Sequence, residues 1–127
     1  MSDELVNVRY MVDDVEKAVD FYTTHFGFTV GTNAIPAFAD VVRGRLRLLL
    51  SGPRSSAGRP MPDGRTPEPG GWNRIHFIVD DIAAETARLR AAGIGFRNDI
   101  VSGPGGRQIL LEDPAGNPIE LFQPAGT

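Results

Sequence analysis

The sequence offers few histidine or cysteine side chains for catalysis or metal binding. It has no cysteine, which excludes disulfides, thiol catalysis and thiolate metal sites. Of its two histidines, His25 falls near the end of a predicted helix, where an imidazole favours the C-terminal dipole. His76 lies two residues after Arg74 in an alternating stretch, so both side chains point to one strand face. The main candidates for chemistry are therefore Arg74, His76 and Glu120, which lies near the C-terminus.

The stretches that position these residues form an internal repeat. The segment VRYMVDDVEKAVDFYTTHFGF begins at Val8, and IHFIVDDIAAETARLRAAGIGF begins at Ile75. Each segment has an alternating strand pattern, then Val-Asp-Asp, then a helical pattern, then Gly-Phe. A supersecondary unit that occurs twice is stronger evidence for an architecture than any single motif.

Each copy predicts one helix, over Asp14–Phe26 and Asp81–Ala92, with the first aspartate of each range as N-cap. Gly27 and Gly93 are expected to end these helices. Each helix is preceded by one strand and followed by three, so each half reads βαβββ. The strands predicted after the helices are Phe28–Asn33, Ala37–Arg43 and Arg45–Ser51 in the first half, and Phe96–Val101, Arg107–Glu112 and Pro118–Gln123 in the second.

Residues Gly52 to Gly71 join the two halves and are rich in proline, glycine, serine and arginine. A stretch without apolar periodicity is typical of a flexible linker between repeats. Loops of this length also form lids that fold over a cavity, and the two interpretations are compatible. We therefore expect a single domain over residues 1–127, with unit one at 5–51, the loop at 52–71 and unit two at 72–124.

Composition places the chain among globular proteins. It has 127 residues, 41% of them hydrophobic, and a net charge of −3, which gives no indication of a nucleic-acid or membrane partner. Only Lys17 among the thirteen basic residues is a lysine, and arginines suit planar or anionic partners. The N-terminal residues lack the basic and apolar segments of a signal peptide, so we expect a cytoplasmic location.

The repeat and the closing sequence LEDPAGNPIELFQP resemble the vicinal oxygen chelate superfamily, which includes glyoxalases, bleomycin-resistance proteins and extradiol dioxygenases. The similarity extends from Val6 to Pro124, and the motif from Asp113 to Leu121 is its most specific part. The resemblance implies an α+β fold in which two βαβββ units form a curled mixed sheet around a cavity, and a homodimer. It does not settle function, because the superfamily hosts isomerases, lyases, dioxygenases, thiol transferases and drug-sequestering proteins.

Enzymes of the superfamily hold a divalent metal with four side chains from the first and last strand of each unit. Carried onto this sequence, the four positions fall on Asn7, Leu48, Arg74 and Glu120. Only Glu120 is a strong ligand, and Arg74 would repel a metal while pairing with Glu120. We therefore predict no metal and no other cofactor. A metal held by His76 beside Glu120 would need a third donor.

The side chains expected around the cavity combine an apolar wall with a few polar groups, as in many small-molecule sites. Strand alternation adds the residues two positions away from each of the four ligand positions, because they point to the same face. Trp72 and Phe38 are aromatic residues that either stack on a flat ligand or pack within the protein. The alternative is that these residues fill a closed core without a ligand. That alternative suits the leucines well, but charged side chains in a core need partners. The predicted ligand-binding set is Asn7, Arg9, Met11, Phe38, Leu46, Leu48, Leu50, Trp72, Arg74, His76, Gln108, Leu110, Glu120 and Phe122.

These residues support three hypotheses about function. The first is a metal-free binding protein that confers antibiotic resistance by sequestering a neutral or anionic aromatic compound. The second is a lyase, isomerase or dioxygenase, with His76 or Glu120 as base and Arg74 or Arg9 holding an enolate or carboxylate. The third is an accessory protein with a vestigial cavity. The inferred balance of charges favours a neutral or anionic ligand over a polycation.

Overall fold

The computed structural model describes residues 4–126 and confirms the predicted α+β fold of two βαβββ units. The boundary between the two compact units falls between Gly70 and Gly71. Unit 1 contains β1 (Val6–Met11), α1 (Val15–His25), β2 (Thr29–Ala34), β3 (Phe38–Arg43) and β4 (Leu46–Ser51). Unit 2 contains β5 (Ile75–Ile78), α2 (Ile82–Ala91), β6 (Val101–Gly103), β7 (Gly106–Glu112) and β8 (Pro118–Pro124).

Unit 1 is a four-stranded mixed sheet with the order β1-β4-β3-β2. β1 runs parallel to β4, and the other two pairings are antiparallel. Helix α1 begins after Asp14, whose carboxylate accepts a hydrogen bond from the Lys17 backbone N–H at 3.1 Å, as predicted for an N-cap. The helix packs against β3 and β4, and its buried face includes Phe21 and Tyr22. Gly27, with φ 69°, follows its C-terminal end.

Unit 2 repeats this arrangement with the order β5-β8-β7-β6, and β5 runs parallel to β8. Helix α2 begins after Asp81, whose carboxylate accepts from the Ala84 backbone N–H at 3.0 Å. The helix packs against β8, and Leu89 from the helix and Leu121 from β8 are buried in this unit. No helix among residues 4–126 is long and apolar enough to cross a membrane.

The prediction of a strand over Phe96–Val101 is wrong for most of that range. Phe96 forms only an isolated bridge with Leu111, and regular pairing begins at Val101. Between these two points the Asn98 side-chain oxygen accepts the hydrogen bond of the Leu110 backbone N–H at 2.9 Å. A side-chain acceptor thus replaces the main-chain ladder, which the residue pattern does not reveal.

The segment after β4 has structure of its own in unit 1. Residues Ser56–Gly58 form a short 3-10 helix, and both Ser55 and Gly58 are buried. The Ser55 hydroxyl donates to the Gly52 carbonyl at 2.7 Å. With residues 66–69, this segment borders a cavity of about 260 Å³ beside Met11, Val12 and Asp13. The segment therefore folds over the end of β1.

Candidate functional site

Each sheet has a helix-free face, defined as the face turned away from its own helix. In unit 2 the register pairs His76 with Glu120 and Ile78 with Phe122. On the other side of β8, Glu120 pairs with Leu110 and Phe122 pairs with Gln108. Side chains of directly paired residues point to the same face of a sheet. The helix-free face of unit 2 therefore carries His76, Ile78, Gln108, Leu110, Glu120 and Phe122. The register thus brings five of the predicted site residues, all but Ile78 of these six, onto one face.

Glu120 is the centre of a charged cluster on this face. Its Oε1 accepts hydrogen bonds from Nε and Nη2 of Arg74, each at 3.0 Å. Its Oε2 lies 3.4 Å from Nε2 of His76. Arg74 also donates from Nη1 to the Trp72 carbonyl at 3.1 Å. Glu120 is only 7% exposed, so its negative charge is compensated by Arg74 where water screens it weakly.

This arrangement does not fit the divalent metal that the superfamily resemblance implies. Arg74 occupies one oxygen of Glu120, and a permanently protonated guanidinium is not a metal ligand. Among residues 4–126 there is no group of three or more histidine, aspartate or glutamate side chains that would hold a metal ion. His76 and Glu120 alone offer two donors. That the purified protein carries no metal stays a prediction, which elemental analysis tests.

An aromatic pair and a cavity adjoin the cluster. The rings of His76 and Phe122 lie 5.0 Å apart and are tilted by 35°. Phe122 also borders a cavity of about 250 Å³, together with Gln108 and the β6–β7 hairpin at Val101–Gly106. A flat apolar group in this cavity would contact the Phe122 ring. Polar and apolar recognition elements thus lie next to each other within unit 2.

Sequence reasoning did not find Arg97, which holds Trp72 in place. Its guanidinium lies 4.7 Å from the Trp72 ring centroid and donates to Glu112 at 2.7 Å. It also donates to the Gly71 and Gly116 carbonyls, each at 2.9 Å. Trp72 is 70% exposed, so its other ring face is accessible in this chain. No pattern near Arg97 signals this role, because its partners come from three distant segments.

The helix-free face of unit 1 is built differently. Asn7 pairs with Arg47, Arg9 pairs with Leu49, and Met11 pairs with Ser51, which in turn pairs with Phe38. Arg47 donates from Nε to Oδ1 of Asn7 at 3.0 Å, and Arg9 donates from Nη1 to the Ser51 hydroxyl at 3.2 Å. The structure therefore places the predicted residues Asn7, Arg9, Met11 and Phe38 on one face.

The prediction that Leu46, Leu48 and Leu50 share this face is wrong. They pair with Val6, Val8 and Tyr10, and Leu48 and Leu50 are fully buried on the side that carries α1. The closed-core interpretation is the correct one for these two leucines.

The fourth of the ligand positions is consequently not Leu48. Val8 pairs with Leu48 in unit 1, and the matching Ile75 pairs with Ile119 in unit 2. The residue equivalent to Glu120 is therefore Leu49. Counting from the turn glycines fails by one residue because Gly44 precedes Leu48 by four positions and Gly116 precedes Ile119 by three.

Comparison with known proteins supports the architecture. A family model described as the Glyoxalase/Bleomycin resistance protein/Dioxygenase superfamily matches residues 4–121. An antibiotic-binding protein, TnmS3 from Streptomyces sp. CB03234, is 28% identical with a TM-score of 0.71, over 98% of each chain. Lactoylglutathione lyase from Agrobacterium tumefaciens is 25% identical with a TM-score of 0.70, over 96% of this chain and 94% of that one.

A third structure, a superfamily member from Sphaerobacter thermophilus DSM 20745, is 30% identical with a TM-score of 0.74. It aligns with 94% of this chain and 95% of its own. The search of curated proteins gave no match. The similar structures include both a binding protein and an enzyme, so similarity alone does not choose between these functions.

Proposed function

The chain belongs to the Glyoxalase/Bleomycin resistance protein/Dioxygenase superfamily, and from this premise we propose that it is a metal-free small-molecule binding protein. We propose that it confers antibiotic resistance by sequestering a neutral or anionic aromatic compound. The observation that carries the proposal is the pairing of Glu120 with Arg74 beside the ring of Phe122. The charge of the Glu120 carboxylate, which would hold a metal, is already compensated by Arg74. The Phe122 ring beside this pair is not used by the pairing.

The charges on the helix-free face of unit 2 indicate which ligands suit it. Glu120 contributes one negative charge, Arg74 one positive charge, and His76 is neutral or positive. A polycation gains nothing from this balance, whereas an anion or a polar neutral group gains a partner in the remaining N–H groups of Arg74. The rings of Phe122 and His76 supply an apolar and aromatic surface. An aromatic ligand with a carboxylate or phenolic oxygen meets both requirements.

Similarity to TnmS3, described as an antibiotic-binding protein, supports sequestration of an antibiotic as the biological role. A homodimer is part of the proposal, because members of the superfamily commonly dimerise. Light scattering tests this, and a monomer at working concentration contradicts it. The cytoplasmic location stays a prediction.

Three probes with one ring system and different charge test the ligand class: naphthoate, naphthol and naphthylmethylammonium. Isothermal titration calorimetry is expected to show binding of the first two and none of the cation. Arg74→Ala is expected to weaken naphthoate binding about ten- to a hundredfold, because a charge-assisted hydrogen bond is worth roughly 1.5–3 kcal/mol. The matched control is Arg88→Ala, which removes a guanidinium of the same unit that pairs with Glu85 on α2. Equal naphthoate affinities of wild type and Arg74→Ala remove Arg74 from the site.

A second candidate function is a lyase, isomerase or oxygenase, and one contact favours it. Glu120 lies 3.4 Å from His76, which would orient the imidazole as a general base, with Arg74 holding an enolate or carboxylate. Similarity to the lactoylglutathione lyase is consistent with such a role. Product analysis of each bound compound, with and without added Zn²⁺, Ni²⁺ or Mn²⁺, separates the two functions. Turnover supports the enzyme, and one firmly bound ion per chain at Glu120 contradicts the metal-free proposal.

The accessory-protein hypothesis makes a different prediction. A protein whose cavity is vestigial binds none of the three naphthalene probes and no member of an aromatic antibiotic panel in a thermal-shift screen. Such a result would count against both preceding functions.

A further inference from the structure

Two guanidinium groups on the helix-free face of unit 1 have neutral hydrogen-bond partners only. Arg9 donates to the hydroxyl of Ser51, and Arg47 donates to the amide oxygen of Asn7. Within residues 4–126, neither arginine lies within 4 Å of a carboxylate oxygen. Each guanidinium has five N–H donors, so most of their hydrogen-bonding capacity remains.

Two arginines on or near the sheet of unit 2 have carboxylate partners, whereas Arg107 of β7 donates to the amide oxygen of Gln123. Arg74 pairs with Glu120 and Arg97 with Glu112, both within unit 2. Arg9 and Arg47 instead come from neighbouring parallel strands and are diagonal neighbours on one face. Like charges at such positions repel each other, and an anion that contacts both removes the repulsion.

The surroundings of the two arginines are apolar and partly buried. Leu49, which is half-buried, pairs with Arg9 and follows Arg47 by two residues, so it lies between them on the same face. Met11 and Phe38, also half-buried, both pair with the buried Ser51 that holds Arg9. Arginine pairs beside an apolar platform suit a carboxylate that is attached to an apolar or aromatic body.

One carboxylate on this face is already engaged. Asp40 pairs with Leu49 from the other side, is 4% exposed, and accepts a hydrogen bond from the Thr32 backbone N–H at 2.9 Å. Its other neighbour is Gly31, at which a side chain would collide with the carboxylate. Asp40 therefore fills the irregular stretch of β2 and does not neutralise Arg9 or Arg47.

We propose that Arg9 and Arg47 form a carboxylate-binding site on unit 1, with Leu49 as the apolar platform beneath the ligand. The site goes beyond the function proposed above, because it uses neither Arg74 nor Glu120 and includes Arg47. This site requires a formal negative charge on the ligand, whereas the helix-free face of unit 2 suits neutral as well as anionic compounds.

Benzoate and its uncharged isostere benzamide test the site by isothermal titration calorimetry on the full chain. Wild type is expected to bind benzoate and to bind benzamide at least about tenfold more weakly. Arg9→Gln and Arg47→Gln are each expected to weaken benzoate binding by about tenfold or more. Arg65→Gln is the control, because Arg65 lies outside the strands of the same unit and pairs with Asp63.

Leu49→Glu is an internal competitor, because it supplies the two arginines with a carboxylate at the position that Glu120 holds in unit 2. It is expected to abolish benzoate binding while the thermal unfolding transition remains cooperative. If one of the Gln variants fails to fold, the other and Leu49→Glu still decide the matter.

Several results would overturn the proposal: no saturable benzoate binding, equal binding of benzamide, or full benzoate affinity in Arg9→Gln and Arg47→Gln. Loss of benzoate binding in Arg74→Ala alone would move the carboxylate to unit 2. Inorganic phosphate is the remaining arm, and tight phosphate binding without benzoate binding would assign the arginines to a phosphate. Failure of the sequestration proposal looks different, since naphthol then does not bind and Arg74→Ala leaves naphthoate affinity unchanged, while benzoate still binds through Arg9 and Arg47.

Discussion

The two units use the same backbone position for opposite purposes. The central residue of the helix-free face is Leu49 in unit 1 and Glu120 in unit 2. Leu49 pairs with Arg9 of β1, and Glu120 pairs with His76 of β5. In unit 2 the central carboxylate compensates Arg74. In unit 1 the central residue is apolar, and the arginines beside it keep their charge uncompensated.

This difference shows which parts of the repeat are constrained by folding. On the side that carries the helix, both units bury aliphatic residues at matching positions, such as Leu48 and Ile119. Both also begin their helix with an aspartate N-cap. A close-packed core tolerates few changes of volume or polarity. The opposite face carries no such requirement, so the two units differ there in charge and therefore in the ligand groups they suit.

The edges of the two sheets also differ. In unit 1 the β2 irregularity is held by Asp40, whose carboxylate accepts from Thr32. In unit 2 the pairing of the segment before β6 is interrupted at Asn98, whose amide oxygen accepts from Leu110. Both units thus break their edge strand with a side-chain acceptor, one from the neighbouring strand and one from the edge segment itself. Such interruptions hinder edge-to-edge aggregation.

The largest expected effect tests which face each leucine of β4 occupies. Leu48→Ala is expected to lower the free energy of unfolding by about 2–5 kcal/mol, because Leu48 is fully buried and leaves a cavity. Leu49→Ala, on the helix-free face, is expected to lower it by about 1 kcal/mol. Urea denaturation followed by circular dichroism measures both. Similar losses for the two variants would mean that the register assigned to β1 and β4 does not hold.

The next effect concerns the charged cluster that unit 1 lacks. Arg74→Met and Glu120→Gln are each expected to lower the free energy of unfolding by about 1–3 kcal/mol, since each leaves a charge without its partner. The value stays below that of a fully buried pair because the Arg74 side chain is 31% exposed. A double-mutant cycle is expected to give a coupling of about 0.5–3 kcal/mol. Arg88→Ala, at an exposed pair, serves as control with a loss of about 0.5 kcal/mol or less.

The smallest effect concerns the sheet edges. Asp40→Ala is expected to cost about 1–2 kcal/mol, because Asp40 is buried and its removal leaves the Thr32 N–H without its acceptor. Asn98→Ala is expected to cost about 0.5–1 kcal/mol, because water reaches the exposed Leu110 N–H contact more easily. Chemical denaturation measures both losses. If Asn98→Ala lowers the free energy of unfolding more than Asp40→Ala does, the edge contact of unit 1 is not the more buried of the two.

Much of the fold was predictable because its signals are local. Helix ends at Asp14 and Asp81 depend on a side chain and a backbone N–H three residues away, and strand alternation depends on neighbouring residues only. The exception is the range Phe96–Val101, where Asn98 replaces a main-chain contact with Leu110 twelve residues away. Alternation within a strand also places Glu120 and Phe122 on one face, in agreement with the register of β7 and β8.

The sequence by itself determined the βαβββ repeat, the helix caps and the pairing of Arg74 with Glu120 within unit 2. Only the tertiary structure decided that Leu49 rather than Leu48 matches Glu120, that Arg47 lies beside Arg9, and that Arg97 holds Trp72. The physical reason is that side-chain alternation fixes two faces along one strand but not their alignment with the next strand. That alignment depends on turn geometry and core packing, and a shift of one residue moves every side chain to the opposite face.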